Sequence, residues 1–341
     1  MEGIYKMTIA ELQFDRETKC PLDLPRHSVE VPELSLGEMF YPLGFPTILR
    51  TNSPEILLQA RGLWSIFRKR FDTKPISVDV HLVDAGSAAC PPTPVVRLAK
   101  PLLINIADAN NHSVADLDRV TTQIILSRAA IKHRSYMDYF FLSCAPLCHI
   151  AGRYTTPVHA GCVVRNGRGV LLCGDSGAGK STLSYACARA GWTYVTDDAS
   201  YMLNNGEDRL VTGNCHQVRF RPSALKLFPE LDGLEITPRA AGKPSIELPT
   251  DPMPGITRAT TAQVDYLVFL NRRASGTDQL VSYRRDAARQ YLRQVLYGPD
   301  ESVAMQYAAL ERLLTAEIFE LRYSNLDWAV SRLESLTREG R

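Results

Sequence analysis

The run Gly174-Asp175-Ser176-Gly177-Ala178-Gly179-Lys180-Ser181 constrains the fold of this chain more than any other stretch. It fits the pattern G-x-x-x-x-G-K-[ST], which carries meaning only between a strand and a helix. Both flanks are in place. Gly169 to Cys173 is a short apolar run of the buried-strand type, and Thr182 to Ala190 reads as a helix stopped by Gly191. Glycines at 174, 177 and 179 lack a Cβ, so the backbone is free to take positive φ and approach a phosphate. Successive N–H groups then turn inward as an anion nest at a helix N-terminus. In that geometry Gly174 through Thr182 cradle the tail of a nucleoside triphosphate. Lys180 supplies a mobile charge for the β- and γ-phosphates, and the Ser181 hydroxyl reaches Mg²⁺. ATP and Mg²⁺ are therefore the expected cofactors.

The chain has 341 residues, enough for about two domains. Its 45% hydrophobic and 22% charged content is that of an ordinary globular protein. A net charge of +2 gives no global pull toward nucleic acid or a membrane surface. No apolar run approaches the roughly 20 residues of a membrane span. Residues 1–15 mix Glu2, Lys6, Glu11 and Asp15 with apolar residues and lack the apolar core of a signal peptide. Cys162, Cys173 and Cys187 sit inside apolar runs, where a reduced thiol packs as a small hydrophobe, so a cytoplasmic location is expected. Cys144, Cys148 and His149 lack a second ligand pair at finger spacing and read as buried side chains rather than a metal site.

Residues 1–150 read as an N-terminal α+β region and residues 151–341 as a nucleotide-binding α/β domain, a mixed sheet flanked by helices. In the first, residues up to about 50 are expected as irregular strands and turns. Pro54 to Phe71 is expected as a helix ending in Arg68-Lys69-Arg70, whose charges complement its dipole. Ile76 to Val83, Val95 to Val96 and Leu102 to Ile106 are strand candidates. Ser113 reads as the cap of a helix running from Val114 to about Lys132, with Asp116 at the capping-box position. Tyr136 to Ile150 fits helix or strand equally. In the second, Val158 to Val164 reads as a strand and Arg165 to Arg168 as a hairpin turn. Trp192 to Thr196 is a strand expected beside the one that carries the glycine loop. Residues 204–262 are loop-rich, and Val264 to Leu270 is a buried strand. Asp286 to Leu296 and Ser302 to Thr315 are expected helices, Glu317 to Tyr323 a strand and Leu326 to Leu336 a last amphipathic helix.

Asp197 and Asp198 close the strand after the loop helix. Paired carboxylates there do two jobs: one helps to hold Mg²⁺ and the other accepts the proton of an attacking hydroxyl. His159 stands on the strand before the hairpin; a lone histidine is more often structural. Taken together, His159, the glycine loop, Arg189-Ala190-Gly191 and Asp197-Asp198 resemble the core of bacterial HPr serine kinase/phosphorylase. The resemblance implies an ATP-dependent kinase acting on a serine hydroxyl, with a fold akin to phosphoenolpyruvate carboxykinase and with self-association. It also implies roles: His159 in the catalytic site, Asp197 near the metal, Asp198 as the base. Two departures stand out. Thr182 replaces the usual Glu, and Cys215 to Pro222 replaces a Glu-Ile-Arg-Gly-type stretch. In these the chain looks more like divergent HPr-kinase-related proteins, some of which phosphorylate a peptide serine.

Arg219, Arg221, Lys243 and Arg258 are further cations with the charge to meet phosphate. The expected reaction is γ-phosphoryl transfer to a hydroxyl, with a peptide or protein serine as the favoured acceptor; in it Lys180 and the loop amides stabilise the transferred charge and His159 orients Asp198 or the phosphate. A small-molecule kinase acting on an amino acid or sugar uses the same groups. A non-catalytic nucleotide-binding or ATPase module is the third reading. Against it, no LSGGQ-like helix start is present, and Asn271-Arg272-Arg273 is not a guanine motif.

Overall fold

The computed structural model describes residues 33–339 except 86–88, 207, 239–243, 251–252, 274 and 297–299. Lys243 thus lies outside the described residues. The architecture is mixed α/β, and the chain divides into two compact units: residues 33–153 with 300–302, and residues 154–296 with 303–339.

The first unit is built on a seven-stranded mixed sheet. Its strands are β1 (Leu36–Phe40), β2 (Thr47–Thr51), β3 (Ile76–Val83), β4 (Val95–Ala99), β5 (Leu102–Asp108), β6 (Asn111–Asp116) and β7 (Thr121–Ser127), in the order β1-β2-β3-β7-β6-β5-β4. Helix α1 (Pro54–Trp64) packs on it, capped by the Ser53 side chain, which accepts from the N–H of Ile56. The helix ends earlier than its periodicity suggests, and Arg68, Lys69 and Arg70 lie beyond it. There the N–H groups of Arg70 and Phe71 donate to the Gly44 carbonyl, at 2.9 and 3.1 Å, and draw the chain off the helical path.

The helix expected from Ser113 to Lys132 is instead the β6–β7 hairpin. Asp116 accepts from the N–H groups of Asp118 and Arg119, at 3.1 and 2.9 Å, so its carboxylate builds a turn rather than a capping box. Thr121, Thr122, Ile124 and Ile125 are β-branched and alternate across the sheet, which favours a strand. Only Arg128–Lys132 is helical (α2), with Ser127 as its cap. The Tyr136 to Ile150 stretch is helical, through α3 (Arg134–Met137), a wider π turn over Asp138–Leu142, and α4 (Cys144–His149). Burial raises the Cys144 thiol pKa to about 12 and lowers that of His149 to about 4; the His149 ring meets the Thr122 hydroxyl at 2.8 Å.

The second unit is organised by a ten-stranded mixed sheet. In chain order it uses β8 (Thr155–Val158), β9 (Ala160–Arg165), β10 (Arg168–Cys173), β11 (Thr193–Thr196), β12 (Ser200–Leu203), β13 (Leu210–Gly213), β17 (Thr257–Arg258), β18 (Thr261–Arg272), β19 (Gln279–Ser282) and β20 (Glu317–Tyr323). The order is β17-β11-β9-β10-β18-β13-β12-β8, with β20 beside β18 and β19 beside β20. Strands β10, β18 and β20 run parallel, and β11 shares their direction because β9 is antiparallel to both β10 and β11. Their carboxyl ends therefore meet at one edge, where open α/β sheets bind ligands. The expected neighbour relation is off by one strand: β9 lies between β11 and β10. The run Val158 to Val164 also divides. At His159 the chain leaves its pairing with β12 and enters the β9–β10 hairpin.

Alternation in β10 sends its side chains to two layers. Val170 and Leu172 join Leu183 and Cys187 of α5 (Lys180–Arg189) and Leu333 of α8 (Leu326–Glu339). Leu171 and Cys173 join Ala288 and Leu292 of α6 (Arg285–Leu292) and Leu310 and Leu313 of α7 (Asp300–Leu313). Burying each such leucine stabilises the unit by about 1.5–3 kcal/mol. The stretch 204–262, expected as loop, also builds a three-stranded sheet from β14 (Gln217–Phe220), β16 (Pro244–Pro249) and β15 (Ile236–Pro238). Val218, Phe220, Ile246 and Leu248 cluster with Tyr185 of α5, which sets this small sheet beside the glycine loop.

Candidate phosphate-binding and acid–base site

The glycine loop joins the carboxyl end of β10 to the first turn of α5. Gly174, Gly177 and Gly179 have φ of 149, 90 and 100°, so all three use backbone that glycine alone takes without strain. A Cβ at Gly179 would also stand 2.7 Å from the Tyr323 hydroxyl at the end of β20. Asp175, Ser176 and Gly177 form the exposed tip, while Ala178, Gly179, Ser181 and Thr182 are half-buried.

Lys180 folds back under this loop and is 5% exposed. Its ammonium donates to the Gly174 carbonyl at 2.7 Å and the Asp175 carbonyl at 3.3 Å, and meets His159 Nε2 at 2.9 Å. An ammonium has only donors, so Nε2 accepts and the imidazole proton sits on Nδ1. That nitrogen faces Asp198 Oδ1 at 3.5 Å, and Lys180 Nζ lies 3.6 Å from the same oxygen. The structure thus brings His159, Lys180 and Asp198 together in one cluster. The hairpin explains the closeness: Ala160 pairs with Cys173, so His159 and Gly174 occupy the next rung.

Asp197 is buried beside them. It accepts from the Tyr194 hydroxyl at 3.2 Å, from the Arg219 N–H at 3.2 Å and from the Ser181 hydroxyl. Burial, and then the neighbouring Asp198 carboxylate, raise its pKa to about 6 against those hydrogen bonds. Asp198 Oδ2 is buried with no hydrogen-bond partner. A cation fits here, because it relieves the Asp197 carboxylate, which burial and the neighbouring Asp198 hold at a cost. Among the described residues no group of three or more His, Cys, Asp or Glu is placed to cage a metal. Such a sparse donor set would suit Mg²⁺, which binds through one or two protein oxygens, phosphate and water. Ser181 and Asp197 are the residues that would hold it.

A cavity of about 340 Å³ opens over the loop. Gly177, Gly179, Lys180, Ser181, Asp197 and Asp198 line it, as do Gln217, Arg219 and Ser245 of the small sheet and Arg221 just beyond β14. Arg221 donates to the Ser176 hydroxyl at 3.3 Å, and Arg219 is paired with Glu247 at 3.0 Å. Arg258 is not part of this lining; its guanidinium meets His216 Nδ1 at 3.2 Å. Arg272 and Lys226 line the cavity and were not singled out by sequence. Arg272 closes β18, and its signal was available, since ligands gather outside the carboxyl ends of parallel strands. Tyr291, 117 residues beyond Gly174, also reaches the loop, and nothing in its own helix marks it.

No family model and no curated protein sequence matches the chain. Among solved structures it is similar to the Hpr(Ser) kinase/phosphatase from Coxiella burnetii, at 14% identity. The match covers 55% of this chain and 96% of that one, with a TM-score of 0.30. That similarity is too slight to carry an argument about fold or activity. No described helix is long and apolar enough to cross a membrane.

Proposed function

We propose that the chain is an ATP-dependent phosphotransferase that moves the γ-phosphoryl group to a hydroxyl, with a peptide or protein serine as acceptor. One observation supports this most: His159, Lys180 and Asp198 lie within 3.6 Å of one another at the base of the phosphate loop. A loop that only bound nucleotide would need the lysine but no carboxylate–imidazole pair beside it.

In this reading the loop amides and Lys180 bind the triphosphate and stabilise the charge on the transferred group. Bound Mg²⁺ would neutralise charge on the β- and γ-phosphate oxygens. Asp198, which lines the cavity, takes the acceptor's proton, with the His159 imidazole beside its Oδ1 at 3.5 Å. The acceptor oxygen forms a bond to the γ-phosphorus, the bond from that phosphorus to the β,γ-bridging oxygen breaks, and ADP leaves with the electron pair. Burial keeps the cluster largely dry, so the charges act at low screening.

The test uses γ-labelled ATP with serine-containing peptides and proteins as acceptors. Asp198→Asn is expected to bind ATP and lose transfer by about 10²–10⁴-fold, the usual worth of a general base. Undiminished transfer by that variant would end this reading.

A further inference from the structure

Tyr291 belongs to no motif, yet its hydroxyl touches the backbone on which the acid–base cluster is mounted. It donates to the Gly174 carbonyl at 2.8 Å and accepts from the Gly174 N–H at 3.1 Å. The His159 carbonyl stands 3.4 Å away. One phenol therefore holds both polar groups of the glycine at which the phosphate loop begins. The same Gly174 carbonyl is the shortest contact of the Lys180 ammonium, at 2.7 Å.

The support behind the phenol is closely packed. Tyr291 sits in the last turn of α6, two side chains of which, Ala288 and Leu292, are fully packed in the core. Its ring meets Phe269 edge-on at 5.3 Å, and Phe269 in turn stacks on Tyr283 at 4.4 Å. Burial raises the phenol pKa, so the group stays a neutral donor.

We infer that Tyr291 is a positioning residue: by clamping Gly174 it sets the carbonyl seat from which Lys180 reaches the phosphates of ATP. This rests on the proposed nucleotide binding and adds to it a residue outside the loop. Without the hydroxyl, Gly174 loses the Tyr291 bond at both its N–H and its carbonyl, and the carbonyl keeps its bond to Lys180. The glycine then settles elsewhere, and the lysine moves with it. A phenol that merely tightened the fold would weaken ATP binding whether or not Lys180 were present. A phenol that seats Lys180 has nothing left to contribute once the lysine is gone.

The experiment is a double-mutant cycle on the full chain, reading the Kd of Mg-ATP by calorimetry for wild type, Tyr291→Phe, Lys180→Ala and the double variant. Tyr291→Phe is expected to weaken binding about tenfold in the wild-type background and less than twofold in the Lys180→Ala background. Equal weakening in both backgrounds, or none in the first, overturns the inference and leaves the proposed function standing. Failure of wild type to bind Mg-ATP overturns both. Should Tyr291→Phe not fold, the cycle is run with Tyr291→His, whose ring nitrogen still donates. A loss of about threefold, confined to the background with Lys180, is then expected.

Discussion

Asp197 illustrates how a single side chain records the demand of its site. Its carboxyl is held by Tyr194, Ser181 and the Arg219 N–H, yet its pKa is raised to about 6 by burial and by Asp198. In the unfolded chain an aspartate titrates near 3.8. The folded state therefore binds the proton more tightly, and this group's contribution to stability falls as pH rises from about 4 to about 6. Asp197→Asn, measured by denaturant unfolding with chelator and without nucleotide, is expected to be more stable than wild type by about 3 kcal/mol at pH 8. The gain should shrink below pH 6 and vanish near pH 4, the window set by those two values. A difference that is constant with pH would mean that burial does not oppose ionisation here. Among individual residues, Lys180, Ser181 and the aspartate pair were legible because local pattern fixes them. Tyr291 was not, because its role comes from a partner 117 positions away.

At the scale of elements, β9 carries more of the site than its short apolar sequence suggests. Gly161 lies where a Cβ would collide with the Ser184 hydroxyl of α5 and stand 2.9 Å from the Asp197 carbonyl oxygen. Gly161→Ala is expected to push α5 and the aspartate pair apart. It should destabilise the protein by about 1–3 kcal/mol and lower Tm by about 2–4 °C per kcal/mol. ATP affinity should fall with it, and a thermal melt with a titration of each variant checks both. Strand, turn and helix around the phosphate loop could be read directly, because apolar run, glycines and helix stop agree. The Ser113–Lys132 stretch could not, since Ser-x-x-Asp has the form of a helix start. What decided it was Asp116 bonding to the backbone two and three residues on, together with a run of β-branched residues.

For the whole molecule, strand order was the part sequence could not supply. β10 pairs with β18 almost a hundred positions later, and no local pattern encodes that partner. The site residues and the clusters that bury β10, α5 and the small sheet all belong to the unit of residues 154–296 and 303–339. Residues 154–341 expressed alone are therefore expected to fold and to bind Mg-ATP within about threefold of the full chain. A loss of cooperative melting in that piece would show that the first unit is needed for the fold. The β9–β10 hairpin has one more consequence. His159 meets the phosphate loop because the ladder counts rungs outward from the turn at Asn166 and Gly167, not because a set number of residues separates them. A cousin of this chain with a longer hairpin tip would keep the same trio, whereas dropping one residue from the β9 arm would turn the imidazole to the opposite side of the sheet, and dropping one from the β10 arm would shift the phosphate loop by a rung. Fixed sequence spacing is thus a poor search key for such cousins, and the parity of each arm a better one.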